Sequence, residues 1–557
     1  MWEIIRESAV GQSLQFLGVR GSLCHPEEKS GFTLPSTWDK PQQDNSAGSG
    51  APDQAHADTS DSVSNTGGTG TPNDIEKADG SRPTPAAQVP LLVTWFNESD
   101  QANPQNWSLG KKLFISIQLC LYTFTVYLGS SLYVAAETDV ERIYNVSPAA
   151  SSLGLALYVL GYGVGPMIFS PLSEIPILGR NWLYIATFTV FVILAMAASL
   201  VDDFGGLLAL RFFLGFFGSP CLATGGATLQ DMYAPTKMPY ALMFWVASAT
   251  LGPALGPAVT GFAVTKMGWR WSAWELLWLS GPILLLMIAC FPETSADAIL
   301  LRRARRLRKL TGRTNLKSES EISIHKMTAR QIAFEALIKP WEINVLDPAV
   351  LFTTVYMALI YGIYYSFFES FPLVYAEKYG FNLGETGLVF LIVLVALGLS
   401  IPAYCAYFWF YAEERMKSQP HFGSPESRLV PGLIGAIIMP IGLFIYAWTS
   451  RPSVHWIVSI IGVGLNSAGL YIVMQVLFLY IPFTYPQYTA SLFAANDLAR
   501  STFAAGAVVF ARPMFINLTV QGGVSLLAGL DIVCVGGIFM LYFFGASLRA
   551  RSKFAAG

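Results

Sequence analysis

Twelve apolar segments, each long enough to cross a membrane, dominate this sequence and leave little freedom for its fold. A helix needs roughly 20 mainly apolar residues to span the hydrocarbon core of a bilayer. The segments form two sets of six: 113–135, 149–171, 182–201, 207–230, 239–263 and 273–291, then 349–374, 386–410, 429–449, 455–480, 488–511 and 524–547. The predicted fold is therefore an all-α integral membrane protein with twelve transmembrane helices in two six-helix halves.

Polar regions set the expected domain limits. We expect an N-terminal tail at 1–110, a first half at 111–291, a loop at 292–348, a second half at 349–548 and a C-terminal tail at 549–557. Residues 39–88 are rich in Gly, Ser, Thr, Asp, Asn and Pro, and they are predicted to be disordered because they offer little apolar surface to bury. Charges in residues 1–19 exclude a signal peptide and leave an amphipathic surface helix or a plain tail helix.

The placement of Lys and Arg predicts the orientation in the membrane. Basic residues concentrate on the side that carries Lys111, Lys112, the 292–348 loop and the end of the chain. Both termini and the loop are therefore expected in the cytoplasm. The basic run at 301–309 resembles a nucleic-acid patch, but we favour an amphipathic helix held at an anionic leaflet, with the bilayer rather than nucleic acid as partner.

Composition and missing motifs exclude several function classes. Only 13% of residues are charged, against about 25% in a soluble domain. The six cysteines and five histidines are scattered without metal-ligand spacing, so we expect no metal and no other cofactor. Paired catalytic carboxylates, a nucleophile elbow and a GxxxxGK[ST] phosphate loop are absent from the sequence. An enzyme and an ATP-driven pump are both disfavoured.

The first half contains charges and glycines in unusual places. Glu174 and Arg180 flank the turn after the second span and are predicted to pair across it, the alternative being an ordinary polar turn. Arg211 lies in the fourth span, where a cation either faces the bundle interior to pair with a carboxylate or snorkels to the headgroups. The fifth span is expected to bend, because its prolines remove backbone donors in the steps Gly252-Pro253 and Gly256-Pro257.

These segments resemble signatures of the fungal major facilitator superfamily, in its twelve-span drug:proton antiporter-1 family, near the multidrug-resistance exporters of azoles and benomyl-like fungicides. The resemblance covers about 103–548 and rests on the Gly161–Arg180 segment, Arg211 with its following glycines, the fifth-span pattern, and the signatures at 269–275, 291–294 and 425–429. It implies that Glu174 and Arg180 latch the halves and that Arg211 serves proton coupling. It also implies an antiport motif made of Gly252, Pro253, Gly256, Pro257 and Gly261.

The seventh span carries a candidate substrate surface. Tyr361, Tyr365 and Phe368 recur at helical spacing and share a face. Glu369 follows them amid aromatic residues, where burial would let it take a proton near neutral pH; the alternative is a solvated boundary glutamate. An aromatic face with one carboxylate suits a small hydrophobic or cationic substrate. In the eleventh span Asp497 and Arg500 are expected to neutralise each other, as a structural pair more than as a transport site.

Taken together, the residues and the resemblance predict proton-coupled efflux of small amphipathic molecules, such as drugs, fungicides or toxins, by alternating access. The expected setting is a fungal plasma membrane, and the expected state is a monomer. One alternative is a dedicated exporter of an endogenous secondary metabolite, serving secretion and self-protection. Another is a nutrient-uptake facilitator, against which the fifth-span pattern argues.

Overall fold

The computed structural model describes residues 2–18, 24–28, 32, 91–326, 334, 338–419, 423–485 and 489–551. The region predicted to be disordered, 39–88, lies outside the described residues, and so does the part of the C-terminal tail that follows Arg551. Nearly everything described is helical.

The first half contains six long helices. They are α1 (Leu109–Ser131), α2 (Leu153–Glu174), α3 (Gly179–Leu200), α4 (Phe204–Gly218, continued as Pro220–Met232), α5 (Met238–Met267) and α6 (Trp271–Cys290). The fourth span is thus longer than the predicted 207–230 and is interrupted at Ser219. Pro253 and Pro257 lie within α5, which is assigned as one helix through both.

The second half begins with α7 (Pro348–Phe371), α8 (Leu383–Ser418), α9 (Val430–Thr449) and α10 (Trp456–Thr484). A single stretch of 63 helical residues, Thr489–Arg551, follows. At 1.5 Å per residue it would be about 95 Å long, roughly three times the hydrocarbon thickness of a bilayer. Thr519 interrupts it with a left-handed φ of 63°. The break divides it into α11 (489–518) and α12 (520–551), so the eleven apolar helical spans of the described residues give twelve crossings.

Close helix packing explains how the halves are built. In the first half α2 packs on α4 and α1 on α5, while in the second α9 packs on α10 and α7 on the α11–α12 pair. Small residues permit the α2–α4 contact, since a Cβ on Gly161 would lie 2.2 Å from the carbonyl oxygen of Phe212. The halves meet mainly through α2 with α11 and α5 with α8.

We call the end of the bundle that carries the 292–348 loop the loop side, and the opposite end the far side. On the loop side, helix Ala296–Thr311 is followed by strand β2 (Leu316–Lys317), which pairs in parallel with β1 (Leu91–Leu92). Arg303 of this helix is buried and forms an ion pair with Asp100 at 2.7 Å. Burial alone would raise the pKa of Asp100, but hydrogen bonds from Arg303 and two backbone amides lower it.

Most of the basic run of this loop helix is engaged within the chain, while Arg305 and Lys309 are exposed, so contact with an anionic leaflet stays a prediction. Arg302, Arg303, Arg306 and Arg308 pair with Glu293, Asp100, Glu27 and Glu321 of the same chain. The helix is amphipathic as expected, and its charged side is largely neutralised by the chain that precedes α1, by Glu293 just before the helix and by the chain that follows it.

Two short helices, Trp2–Glu7 and Ala9–Phe16, dock on the loop side. The indole nitrogen of Trp182, at the start of α3, donates to the side-chain oxygen of Gln12 at 2.8 Å. His25 is buried, with its Nδ1 3.5 Å from a carboxylate oxygen of Glu7. The sequence had predicted an amphipathic surface helix or a plain tail helix for residues 1–19, and neither prediction included contacts with the rest of the protein.

Candidate functional site

A buried ion pair lies where the two halves meet. Asp497 and Arg500 of α11 form the predicted pair, and both side chains are 2% exposed. The guanidinium also donates to the hydroxyl of Tyr127 in α1 at 2.9 Å, and it lies 4.7 Å from the ring centroid of Tyr361 in α7. One side chain of the second half is thus bound to the first half as well as to its own helix.

A cluster of tyrosines continues this contact. The hydroxyl of Tyr162 in α2 lies 2.7 Å from that of Tyr361 and 3.0 Å from that of Tyr365. Tyr365 in turn lies 3.1 Å from the hydroxyl of Ser130 in α1. The predicted face of α7 therefore does point into the interface, with Phe368 farther along it and stacked on Phe390. In this structure Tyr162 and Ser130 of the other half cover the tyrosines of that face, and Phe390 of the same half covers Phe368.

Arg211 faces the bundle interior, as one of the two predicted alternatives required, but its hydrogen-bond partners are backbone carbonyls. It is buried, so it does not snorkel, and its three hydrogen bonds go to carbonyl oxygens instead of a carboxylate. Its nitrogens donate to Gly129 and Ser130 of α1 at 2.8 Å each and to Gly154 of α2 at 2.9 Å. The tyrosine rings of Tyr133 and Tyr158 lie within 5 Å of the guanidinium. Arg211 thus ties α4 to the far-side ends of α1 and α2, beside the serine that meets Tyr365.

Glu369 lies at the far-side end of α7 and is buried, as one of the two interpretations required. One carboxylate oxygen accepts a hydrogen bond from the hydroxyl of Ser152, just before α2, at 3.1 Å. Glu137 lies nearby, since the hydroxyl of Ser151 donates to its carbonyl. A carboxylate in such a place is costly to ionise, so its charge state is sensitive to how the halves are arranged.

The glycines of the α5 pattern face α1 and α8. A Cβ on Gly252 would lie 2.5 Å from that of Tyr127, and one on Gly256 would lie 2.0 Å from the hydroxyl oxygen of Ser131. Toward the far side, Gly261 packs on Leu383 of α8, and Gly387 lies against the carbonyl of Pro257. These residues, together with Pro253, let α5 touch both halves at van der Waals distance.

At the loop-side turn between α2 and α3, the predicted pairing of Glu174 with Arg180 is wrong. Arg180 forms its ion pair with Asp231 at the end of α4, 2.8 Å away, rather than with Glu174, which is exposed. Its side chain also donates to Thr228, and its backbone amide donates to Glu293 at 3.0 Å. The predicted latch therefore joins α3, α4 and the loop within the first half.

Contacts between the halves close both ends of the bundle. On the loop side, Glu413 of α8 accepts from Lys237 at 2.6 Å and from Tyr240 of α5 at 2.9 Å. On the far side Ser152 donates to Glu369, and near the middle of α5 the hydroxyl of Tyr364 donates to the carbonyl of Thr250 at 2.9 Å. Sequence reasoning missed Lys237 and Glu413, because each stands at the end of a different span and no spacing links them.

This architecture can be compared with known proteins. The sequence profile described as Major Facilitator Superfamily matches residues 119–509. The chain belongs to the Major Facilitator Superfamily. It is similar to the MFS-type transporter pyvG of Aspergillus violaceofuscus, with 46% identity over 86% of this chain and 87% of that one. It is also 36% identical to fluconazole resistance protein 1 of Saccharomyces cerevisiae, over 84% of this chain and 85% of the relative.

A solved structure of the superfamily shares the fold. The proton:xylose symporter XylE aligns with a TM-score of 0.56 at 12% identity, covering 79% of this chain and 96% of that one. Membership makes this chain a multi-pass membrane transporter of small substrates, not an enzyme. Among the residues that the structure describes, no group of three metal-ligating side chains occurs.

Proposed function

We propose that this protein exports small amphipathic molecules in exchange for protons. The observation that carries the proposal is the buried Asp497–Arg500 pair bound to Tyr127 of the opposite half. A titratable pair at the contact between two moving bodies can change which end opens, because each arrangement of the halves solvates it differently. The names of two relatives, fluconazole resistance protein 1 and cycloheximide resistance protein, support drugs as substrates.

Alternating access follows from the two sets of closing contacts. Opening the loop side must separate Lys237 from Glu413, while opening the far side must separate Ser152 from Glu369. Protonation of Glu369 from the far side would favour release there, and deprotonation toward the loop side would reset the carrier. Arg211 would act indirectly, by holding the α1 and α2 segments that carry Ser130 and Ser152.

Substrate would bind along the α7 face of Tyr361, Tyr365 and Phe368. In the closed structure Tyr162 of the first half covers Tyr361 and Tyr365, so separation of the halves is needed to expose these two rings, while Phe368 stacks on Phe390 of its own half. Aromatic rings bind flat apolar molecules by stacking and cations through the face of the ring. A small hydrophobic or cationic compound is therefore the expected cargo.

The proposed setting is a fungal plasma membrane, with the loop side and both termini in the cytoplasm. The basic residues beside the spans on the loop side support this orientation. The domain limits at 110, 291, 348 and 548 are proposed with it, and so is a monomer, because one chain supplies both halves of the transport path.

Dye transport by purified protein in proteoliposomes tests the proposal. Rhodamine 6G, a cationic amphipathic dye, should accumulate when a pH gradient is imposed, and a protonophore should abolish that accumulation. Glu369→Gln should lose the response to the gradient while dye exchange without a gradient persists, and Arg211→Ala should lose both. Glu377→Gln is the matched control, because Glu377 is exposed just after the same helix.

A wild-type protein that ignores the gradient while a sugar equilibrates would instead identify an uptake facilitator. In cells, a deletion strain separates the two export hypotheses. Drug sensitivity alone indicates export of foreign compounds, whereas retention of a metabolite made by the same cell indicates a dedicated exporter.

A further inference from the structure

A lateral groove opens on the loop side between α1, α5 and α8. Its volume is about 500 Å³, within the range of roughly 300–1,000 Å³ that ligand pockets occupy. The walls are formed by apolar side chains of all three helices, among them Leu113, Ile117, Ala241, Phe244 and Trp409. None of the transport residues named above lines its walls, apart from Lys237 and Tyr240 at the rim.

The groove faces sideways into the region that a bilayer would fill. Leu113, Ile117, Phe244 and Trp409 are all exposed large hydrophobic residues on the outer surface of the helix bundle. Water would cover these side chains at a high cost in free energy, whereas a hydrocarbon chain would cover them without one. An occupant is therefore expected to enter from the membrane.

The mouth of the groove carries an excess of positive charge. Lys112 and Lys237 both line it. Lys112 donates to a neutral acceptor, the carbonyl of Gln105, at 2.7 Å. The Glu413 carboxylate is shared between Lys237 at 2.6 Å and Lys417 at 2.7 Å. Two ammonium groups thus share one carboxylate, and Lys112 adds a further positive charge to the groove, so the local excess disfavours a cationic substrate but attracts an anion.

The polar side chains of the groove lie at its loop-side end, at the level that a lipid headgroup would occupy. The hydroxyls of Ser116 and Tyr233 are 3.1 Å apart at the inner wall, and the Lys112 ammonium stands 5.6 Å above the Tyr233 ring. Trp409 lies in a five-residue π-helical turn, Phe408–Ala412, which widens α8 at this height. Amphipathic aromatic residues and lysines at one level, with apolar walls beyond, match the boundary between headgroups and acyl chains.

We propose that this groove binds an anionic phospholipid of the loop-side leaflet, with the phosphate at Lys112 and Lys237 and one acyl chain along α1 and α5. The site bridges the halves, because α1 and α5 belong to the first and Trp409 to the second. A lipid held there contacts both halves only while the loop side is closed, so it stabilises that arrangement. This inference stands apart from the direction of transport and from proton coupling.

Lipid titration of the purified full-length protein tests the site. Binding of palmitoyl-oleoyl phosphatidylserine is measured by native mass spectrometry beside phosphatidylcholine with the same chains, and beside glycerophosphoserine as a headgroup without chains. Wild type should bind the serine lipid saturably and at least about fivefold more tightly than the choline lipid, and it should not bind glycerophosphoserine. Lys112→Gln should remove most of that preference.

Lys111→Gln is the matched control, because Lys111 is the neighbouring residue but stands over the Trp107 ring and lines a different cavity. Ala234 is exposed and lines the groove, so Ala234→Trp fills the mouth without changing its charge. This variant should reduce binding of the serine lipid, and it keeps the test decisive if Lys112→Gln fails to fold. Equal binding of the two lipids by wild type, an equal loss in Lys111→Gln and Lys112→Gln, or unchanged binding in Ala234→Trp would each overturn the proposal.

Discussion

Arg500 of α11 donates a hydrogen bond to the hydroxyl of Tyr127 in α1, with 2.9 Å between nitrogen and oxygen, across the boundary between the two halves. The same guanidinium neutralises Asp497 in its own helix. Arginine stays protonated at all physiological pH values, so a change of charge at this site has to occur on the carboxylate. When the halves separate, the guanidinium loses its hydrogen bond to Tyr127 and must bind another side chain or water instead.

Neutralising Asp497 alone should be more damaging than neutralising the pair. Asp497→Asn leaves Arg500 buried and charged, and breaking a buried ion pair typically costs about 3–5 kcal/mol. The double variant Asp497→Asn/Arg500→Gln removes that unpaired charge and should recover most of the lost melting temperature without recovering transport. Thermal unfolding and dye flux of the purified proteins measure the two effects. A single variant as stable as the double would contradict this account of the pair.

Neutralising Asp531 of α12 should raise the melting temperature, whereas neutralising Asp497 should lower it. It is fully buried, and within the described chain neither carboxylate oxygen has a hydrogen-bond partner. An unpaired polar group costs free energy, and more so when charged, so Asp531→Asn should raise the melting temperature by a few degrees. Asp497→Asn, measured in parallel, serves as the contrasting control because it removes a paired carboxylate. A lower melting temperature for Asp531→Asn would show that the carboxylate has a stabilising partner.

Gly256→Ala should impair folding or transport severely. The added Cβ would lie 2.0 Å from the Ser131 hydroxyl and 2.8 Å from the backbone nitrogen of Leu132, so α1 and α5 must move apart. Gly398→Ala in α8 is the control, since its Cβ would meet nothing within 4 Å. Alanine there should add about 0.5–1 kcal/mol of helix stability. Folded yield by size-exclusion chromatography distinguishes the two; equal yields would argue against tight α1–α5 packing.

Docking of the N-terminal helices should weaken in acid. Burial, followed by the charge of Arg306, lowers the pKa of His25 below its usual 6.5. The undocked segment then binds more protons than the docked one, so stability of the docked state falls as the pH drops below about 6.5. Protection of the amides of residues 2–18, taken relative to their intrinsic exchange rates at each pH, should therefore fall between pH 6.5 and 5.5. His25→Gln should flatten this pH dependence, and an unchanged profile in that variant would assign it to Glu7 or Glu27.

The sequence predicted the spans well because length and apolarity alone decide whether a helix crosses a membrane. It placed the break between the eleventh and twelfth spans at 512–523, which contains Thr519, but it missed the interruption of the fourth span at Ser219. The loop helix was predicted to lie on lipid because its arginines form a run. Two of their partners, Asp100 and Glu27, stand 203 and 279 residues away, and local patterns carry no information on such pairs.

At the site, local spacing identified Asp497 with Arg500 and the aromatic face of α7, since both lie on single helices. It misassigned the partner of Arg180, because Asp231 belongs to another helix end brought close by packing. Local spacing also gave no acceptor for Arg211. Its partners are backbone carbonyls, which every residue type carries, so no particular residue in the sequence points to them. Contacts between elements depend on helix rotation, which hydropathy does not determine.

The small sheet on the loop side has a consequence for biosynthesis. Leu91 pairs with Leu316, so the strand before the first membrane helix waits for a partner that the ribosome makes only after the sixth. The same holds for Asp100, whose partner is Arg303. Until then the segment before α1 carries an unpaired strand and an unneutralised carboxylate. This sheet can therefore close only after the first six helices have been synthesised, and a chain stalled before residue 317 lacks the second strand that a finished half contains.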